Sequence, residues 1–240
     1  CGFSPWDTEK PGETDVTITG NAKVTVQNGT IGSGVRREQL CGDAKINISG
    51  NAEVNVFGGD NAATIGSGEG GDANVTITGN AKVTAEQVSD WYGGGAGIGG
   101  GANGKGYVTI GGKAQVQATG SAEKDDYSRA YGAGAAIGDG GTAGESGSTV
   151  QNGKNQFTIA NDIEDNAEIK MTNKGNDSSN TVTQTRRNGE WVTSGEQTPE
   201  KCDHSNPFVE TTVAPTCTES GYTVQKCTRC HEEEGERTNL

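Results

Sequence analysis

The stretch V-T-I-T-G-N-A-K-V-T-V at Val16–Val26 recurs as I-N-I-S-G-N-A-E-V-N-V at Ile46–Val56 and as V-T-I-T-G-N-A-K-V-T-A at Val75–Ala85. A looser copy, V-T-I-G-G-K-A-Q-V-Q-A, occupies Val108–Ala118, and a last one is split between Phe157–Ile159 and Asn166–Met171. The shared isoleucine falls at Ile18, Ile48, Ile77, Ile110 and Ile159, in steps of 30, 29, 33 and 49 residues. A unit of this size cannot bury an apolar face alone. It does so by stacking on its neighbours, so the repeat predicts a solenoid.

Each of the first four units is followed by a second landmark: T-I-G-S-G at Thr30–Gly34 and Thr64–Gly68, G-I-G-G-G at Gly97–Gly101, and A-I-G-D-G at Ala136–Gly140. A unit therefore holds three apolar pieces, V-x-I, A-x-V-x-V and A-x-I-G. All alternate with period two, the pattern of strands. Glycine and asparagine between them supply corner dihedrals.

Stacking the units generates columns. Val16, Ile46, Val75, Val108 and Phe157 point inward, as do Val24, Val54, Val83, Val116 and Ile169, and Ile31, Ile65, Ile98 and Ile137. Lys23, Glu53, Lys82, Gln115 and Glu168 point outward, so opposite charges meet at the roughly 4.8 Å strand spacing. Asn21, Asn51, Asn80 and Asn166 form a corner column fit for an amide ladder, with Lys113 the exception. The expected fold is all-β: a single-stranded parallel β-helix of three short strands per coil and about five coils.

Only 30% of residues are hydrophobic and 5% aromatic, too few for a conventional core but enough for a slim one of valine, isoleucine and alanine. The net charge of −13 argues against nucleic acid or an anionic membrane surface as partner. No apolar stretch is long enough to span a bilayer. The chain opens on Cys1 without an initiator methionine, and reads as a mature chain or a piece of a longer one. The expected organisation is an N-terminal cap over 1–14 using Phe3 and Trp6, a β-helix over 15–172, a polar closing segment and linker over 173–200, and a small Cys/His-rich module over 201–240.

That last module is too short to stand on a core and needs a staple. Cys217, Cys227 and Cys230, with His204, Cys202 or His231, form a tetrahedral zinc set around a C-x-x-C knuckle. Two disulfides serve equally well in an oxidising compartment. Cys227–His231 also matches the C-x-x-C-H haem pattern, but nothing else points to a haem. Cys1 and Cys41 flank the first unit as a candidate pair.

The strand–Gly–strand–A-G-I-G-G-G units resemble the glycine-rich parallel β-helix repeats of large adhesin-like cell-surface proteins from gut Firmicutes. The run V-A-P-T-C-T-E-S-G-Y-T-V-Q-K-C-T-R-C resembles a small cysteine module of the same kind of protein. The first resemblance covers about 15–171 and the second 202–234. They imply an extracellular location, secreted or attached to the cell wall or surface, and a role in display, adhesion or carbohydrate binding. The Leu-Pro-x-Thr-Gly sorting signal of wall-anchored relatives is missing, so any anchor is expected outside this chain.

Function is expected where the repeat is broken. The connection between the second and third strands grows to A-E-Q-V-S-D-W-Y-G-G-G at Ala85–Gly95 and to T-G-S-A-E-K-D-D-Y-S-R-A-Y-G-A-G at Thr119–Gly134. Long insertions on a rigid scaffold concentrate binding residues. These hold Trp91, Tyr92, Tyr127 and Tyr131 with Asp90, Asp125, Asp126 and Arg129, a set suited to stacking on sugar rings and bonding their hydroxyls. The competing reading is that the aromatics fold down over the scaffold edge. The expected partners are glycans or host surface ligands, and the expected state is a monomer. Calcium is a second expectation, at the loop acids Asp60, Asp90, Asp125, Asp126 and Asp139.

Many parallel β-helices are polysaccharide lyases or hydrolases. Such enzymes need paired carboxylates across a groove, or acids with a base. No adjacent units place two acids in one strand column, so the reading is a non-catalytic binder, with a carbohydrate-active enzyme and a plain stalk as the alternatives.

Overall fold

A computed structural model describes residues 13–34, 41–88, 93–125, 128–174, 179–187, 190–197, 208–213, 222–227 and 233–239. The chain divides into two compact units, Cys1–Gln197 and Thr198–Leu240. The described residues are all-β, without a helix, and mostly in parallel sheets. No helix among them is long and apolar enough to cross a membrane. The cap expected over 1–14 lies outside them except for Glu13 and Thr14.

In the first unit the repeats feed three sheets in turn. The first sheet aligns β1 (Thr14–Ile18), β4 (Ala44–Ile48), β7 (Ala73–Ile77), β10 (Gly106–Ile110) and β16 (Thr158–Ile159), all parallel. The second aligns β2 (Lys23–Gln27), β5 (Glu53–Gly58), β8 (Lys82–Gln87), β11 (Gln115–Thr119) and β17 (Glu168–Lys174), also parallel. The third joins the two-residue strands β3 (Ile31–Gly32), β6 (Ile65–Gly66), β9 (Ile98–Gly99) and β14 (Ile137–Gly138). Equivalent repeat residues are register partners: Val16 pairs Ile46, Ile46 pairs Val75, and Val75 pairs Val108.

This register carries the core. Ile46, Ile48, Val54, Val56, Ile65, Ile77, Ile98 and Ile110 are fully buried in one cluster. Apolar burial contributes about 25 cal/mol per Å², and here it is collected from many small side chains. Gly20, Gly50, Gly79 and Gly112, at φ 62–72°, turn the chain from the first sheet into the second. Gly32, Gly66 and Gly99, with φ 124–147°, meet the following repeat so closely that a Cβ on each would overlap the next glycine's carbonyl oxygen. Glycine here sets the approach of successive repeats.

The expected outward ladders form at the Lys23–Glu53 step and along Asn21, Asn51 and Asn80. Lys23 Nζ lies 3.2 Å from Glu53 and Lys45 Nζ 3.8 Å from Asp15. Asn51 Nδ2 donates to Asn21 Oδ1 at 3.0 Å, and Asn80 Nδ2 to Asn51 Oδ1 at 2.9 Å. Lys113 interrupts this amide column and pairs with Glu164 at 3.2 Å.

After the fourth repeat the chain departs from the pattern. Residues of the 119–134 insertion form β12 (Lys124–Asp125) and β13 (Arg129–Tyr131), which pair antiparallel with each other and, through β13, with β15 (Ala143–Glu145). The polar stretch expected as closing segment and linker carries two strands, β18 (Ser179–Arg187) and β19 (Glu190–Gln197). They extend the second sheet antiparallel from β17. Alternating β-branched residues in T-V-T-Q-T and W-V-T favour strand despite their polarity. Trp191 packs against the core cluster and closes it at this end.

The second unit is a three-stranded antiparallel sheet of β20 (Phe208–Val213), β21 (Tyr222–Cys227) and β22 (Glu233–Asn239). Cys227 ends β21 opposite Phe208. Cys202, His204, Cys217, Cys230 and His231 lie outside the described residues, as does Cys1, while Cys41 is buried.

Candidate functional site

The stems of the two long insertions are brought together. Ser121 Oγ, buried, accepts the Gly94 N–H at 2.8 Å and the Gly134 N–H at 2.9 Å. One hydroxyl thus ties the end of the first insertion to the end of the second. Gln87 secures the first from below. It is almost fully buried, and its Nε2 donates to the Ala62 carbonyl at 2.6 Å.

The second insertion is fastened by a polar cluster. Arg129 Nη2 reaches Glu69 Oε1 at 2.7 Å, and the guanidinium lies 5.2 Å from the centre of the Tyr131 ring. Asn61 Nδ2 donates to Glu69 Oε2 at 2.7 Å and to the Tyr131 hydroxyl at 3.3 Å. Glu69 and Tyr131 are buried and Arg129 is half-buried. A buried carboxylate needs both a counter-charge and hydrogen bonds, and Glu69 has them.

Of the eight residues expected to contact a ligand, three fall among the described residues. Asp125 is exposed, and its carboxylate accepts from Ser146 Oγ at 2.8 Å and the Gly147 N–H at 3.3 Å. Arg129 is committed to Glu69 and Tyr131. Tyr131 is only 2% exposed, so its ring covers the scaffold and does not face solvent. Asp90, Trp91, Tyr92, Asp126 and Tyr127 lie outside the described residues.

Of the loop acids raised for calcium, Asp60, Asp125 and Asp139 are among the described residues, and Asp90 and Asp126 lie outside them. Asp139 Oδ1 accepts the Gly106 N–H at 3.1 Å and Gln156 Nε2 at 2.7 Å, and Asp125 accepts from the distant turn at Ser146 and Gly147. Asp60 sits at φ 87°. No group of three or more His, Cys, Asp or Glu able to hold a metal is present among the described residues.

Glu69, Asn61 and Ser121 escape the repeat pattern. Glu69 carries a faint signal: it directly follows the second T-I-G-S-G, where the first copy continues with Val35. Tyr107 carries a clearer one, since the same place in the other repeats holds Asp15, Lys45 and Asn74.

No protein-family model, curated protein or solved structure matches the chain.

Proposed function

We propose that the chain is a non-catalytic extracellular binding protein that engages glycans through insertions held on a parallel β-helix of about five coils. The observation that carries this reading is the anchoring of the second insertion. Its arms are strands, its base is pinned by Ser121, and its flank is locked by Glu69, Asn61 and Arg129. Pre-ordering a loop lowers the entropy cost of binding.

The outward acids support a binder over an enzyme. Glu53, Asp15 and Glu164 are each paired with a lysine, so these acids are engaged in ladders. In this reading the protein sits at a cell surface or is secreted, acts as a monomer, and uses its second unit as a structural bead. That bead is held by zinc or by disulfides, and metal analysis with thiol counting separates the two.

A glycan array compares the wild type with a Trp91→Ala/Tyr127→Ala variant. Binding by the wild type that falls in the variant is the expected result. Absence of glycan binding by the wild type sinks the reading in favour of a plain stalk. Release of products from a polysaccharide sinks it in favour of an enzyme.

A further inference from the structure

We infer that the outer face of the first sheet carries a second sugar subsite, centred on Tyr107 and suited to an uncharged pyranose. This rests on the glycan reading above and places part of the binding away from the two insertions.

Tyr107 is 51% exposed, and no other aromatic is exposed among the described side chains. The fold does not require an aromatic there. Its register partner is Asn74, and the column continues through Lys45 and Asp15. The ring also stands at a step in the sheet. β16 covers β10 only at Thr109 and Ile110. Before that point the chain turns aside, with Asn155 bridging Gly138 and the Gln156 N–H bonding the Ile137 carbonyl. Tyr107 therefore has a paired strand neighbour on one side, at Asn74, and none from β16 on the other.

Polar groups of the right kinds lie on the residues around this step. Asp139 Oδ1 accepts the N–H of Gly106, the residue before Tyr107, and also bonds Gln156 Nε2. The Asn74 carboxamide lies across the neighbouring strand, and the Thr109 and Thr158 hydroxyls lie further along the same face. A pyranose has an apolar C–H face that stacks on an aromatic ring and a rim of hydroxyls that both donate and accept. Carboxylate, carboxamide and hydroxyl groups around a ring match that rim.

Charge narrows the class. On a chain of net charge −13, Lys105 and Lys154 are matched by Asp72 and Asp139 and leave no excess of positive charge for a polyanion. The outer column beside the ring is neutralised too, by the Asp15–Lys45 pair. Uronate polymers are disfavoured and neutral hexose chains are not.

The test is calorimetric titration of the intact chain with neutral cello-, manno- and galacto-oligosaccharides, with an oligogalacturonate as the charged arm. The variants are Tyr107→Ala, Tyr107→Phe and Trp91→Ala/Tyr127→Ala. Because the ring is exposed, Tyr107→Ala is expected to melt with the wild type. The expected result is that a neutral oligosaccharide binds the wild type, that Tyr107→Ala weakens it at least about tenfold, and that Tyr107→Phe stays within about twofold. If a neutral sugar binds and only the Trp91→Ala/Tyr127→Ala variant loses it, the Tyr107 subsite is overturned and the wider glycan reading stands. If only the oligogalacturonate binds, the uncharged class is overturned. If nothing binds the wild type, both fall.

Discussion

The Arg129 guanidinium reaches Glu69 across 60 residues of sequence, at 2.7 Å, with the carboxylate buried and the guanidinium half in solvent. Removing one partner strands the other. Arg129→Ala should lower stability by about 1–3 kcal/mol, between the values for exposed and fully buried pairs. The Arg129→Ala/Glu69→Gln double variant should recover part of that loss, because no buried charge is then left alone. Urea unfolding of the four proteins of the cycle measures this coupling. Additive losses would show that the pair contributes nothing beyond its separate parts.

Gly66 and Gly20 both have positive φ, 147° and 70°, but they differ in surroundings. A Cβ on Gly66 would overlap the Gly99 carbonyl oxygen, whereas one on Gly20 meets nothing within 4 Å. Gly66→Ala should therefore cost about 3 kcal/mol or more, and Gly20→Ala about 1 kcal/mol. Thermal melts of the two variants side by side give the comparison.

The Lys23 ammonium, by its hydrogen bond and its charge, holds the Glu53 carboxyl below the ordinary 4.5, with smaller help from Asn55 and Lys82. A carboxyl with a lowered folded-state pKa adds stability above its unfolded value and loses it as pH falls through the folded one. The contribution should fade below about pH 4.5. Side-chain NMR titration should find Glu53 below the ordinary value, and Lys23→Ala should return it upward. The pair is exposed, so added salt should shrink the difference.

Trp191, on β19, packs against the core cluster where the last repeat would otherwise lie open. Trp191→Ala should cost about 2 kcal/mol, less than for a fully buried tryptophan. Amide exchange should speed up first in β17 and β18, with little change in β4 and β7. Uniform acceleration across all repeats would mean that this end does not open separately.

What was legible in the sequence follows the repeat. Val16, Ile46, Val75 and Val108 pair in the register that their alternation implies, because a one-residue slip would turn every one of them to solvent. The Lys23–Glu53 pair and the Asn21–Asn51–Asn80 ladder were readable for the same reason: equivalent places in successive repeats must meet. The Glu69–Arg129 contact joins residues with no equivalents in the other repeats, so periodicity says nothing of it. β18 and β19 were hidden by composition, since threonine and glutamine suit a strand and a linker alike. Tyr131 shows the same limit at the candidate site: an aromatic beside acids reads as a ligand platform, and only its burial reveals a covering role.

The three sheets end on unlike edges after the last repeat. The first stops at the two-residue β16, the third is closed by the Asn155 bridge to Gly138, and the second runs on into the β18–β19 hairpin. A second molecule offering β1, β2 and β3 together would meet three unlike edges in place of a further repeat. Such unlike edges disfavour head-to-tail growth into a filament, the standing hazard of stacked parallel strands. A repeat that is self-complementary by construction is thus followed by strands that do not continue it.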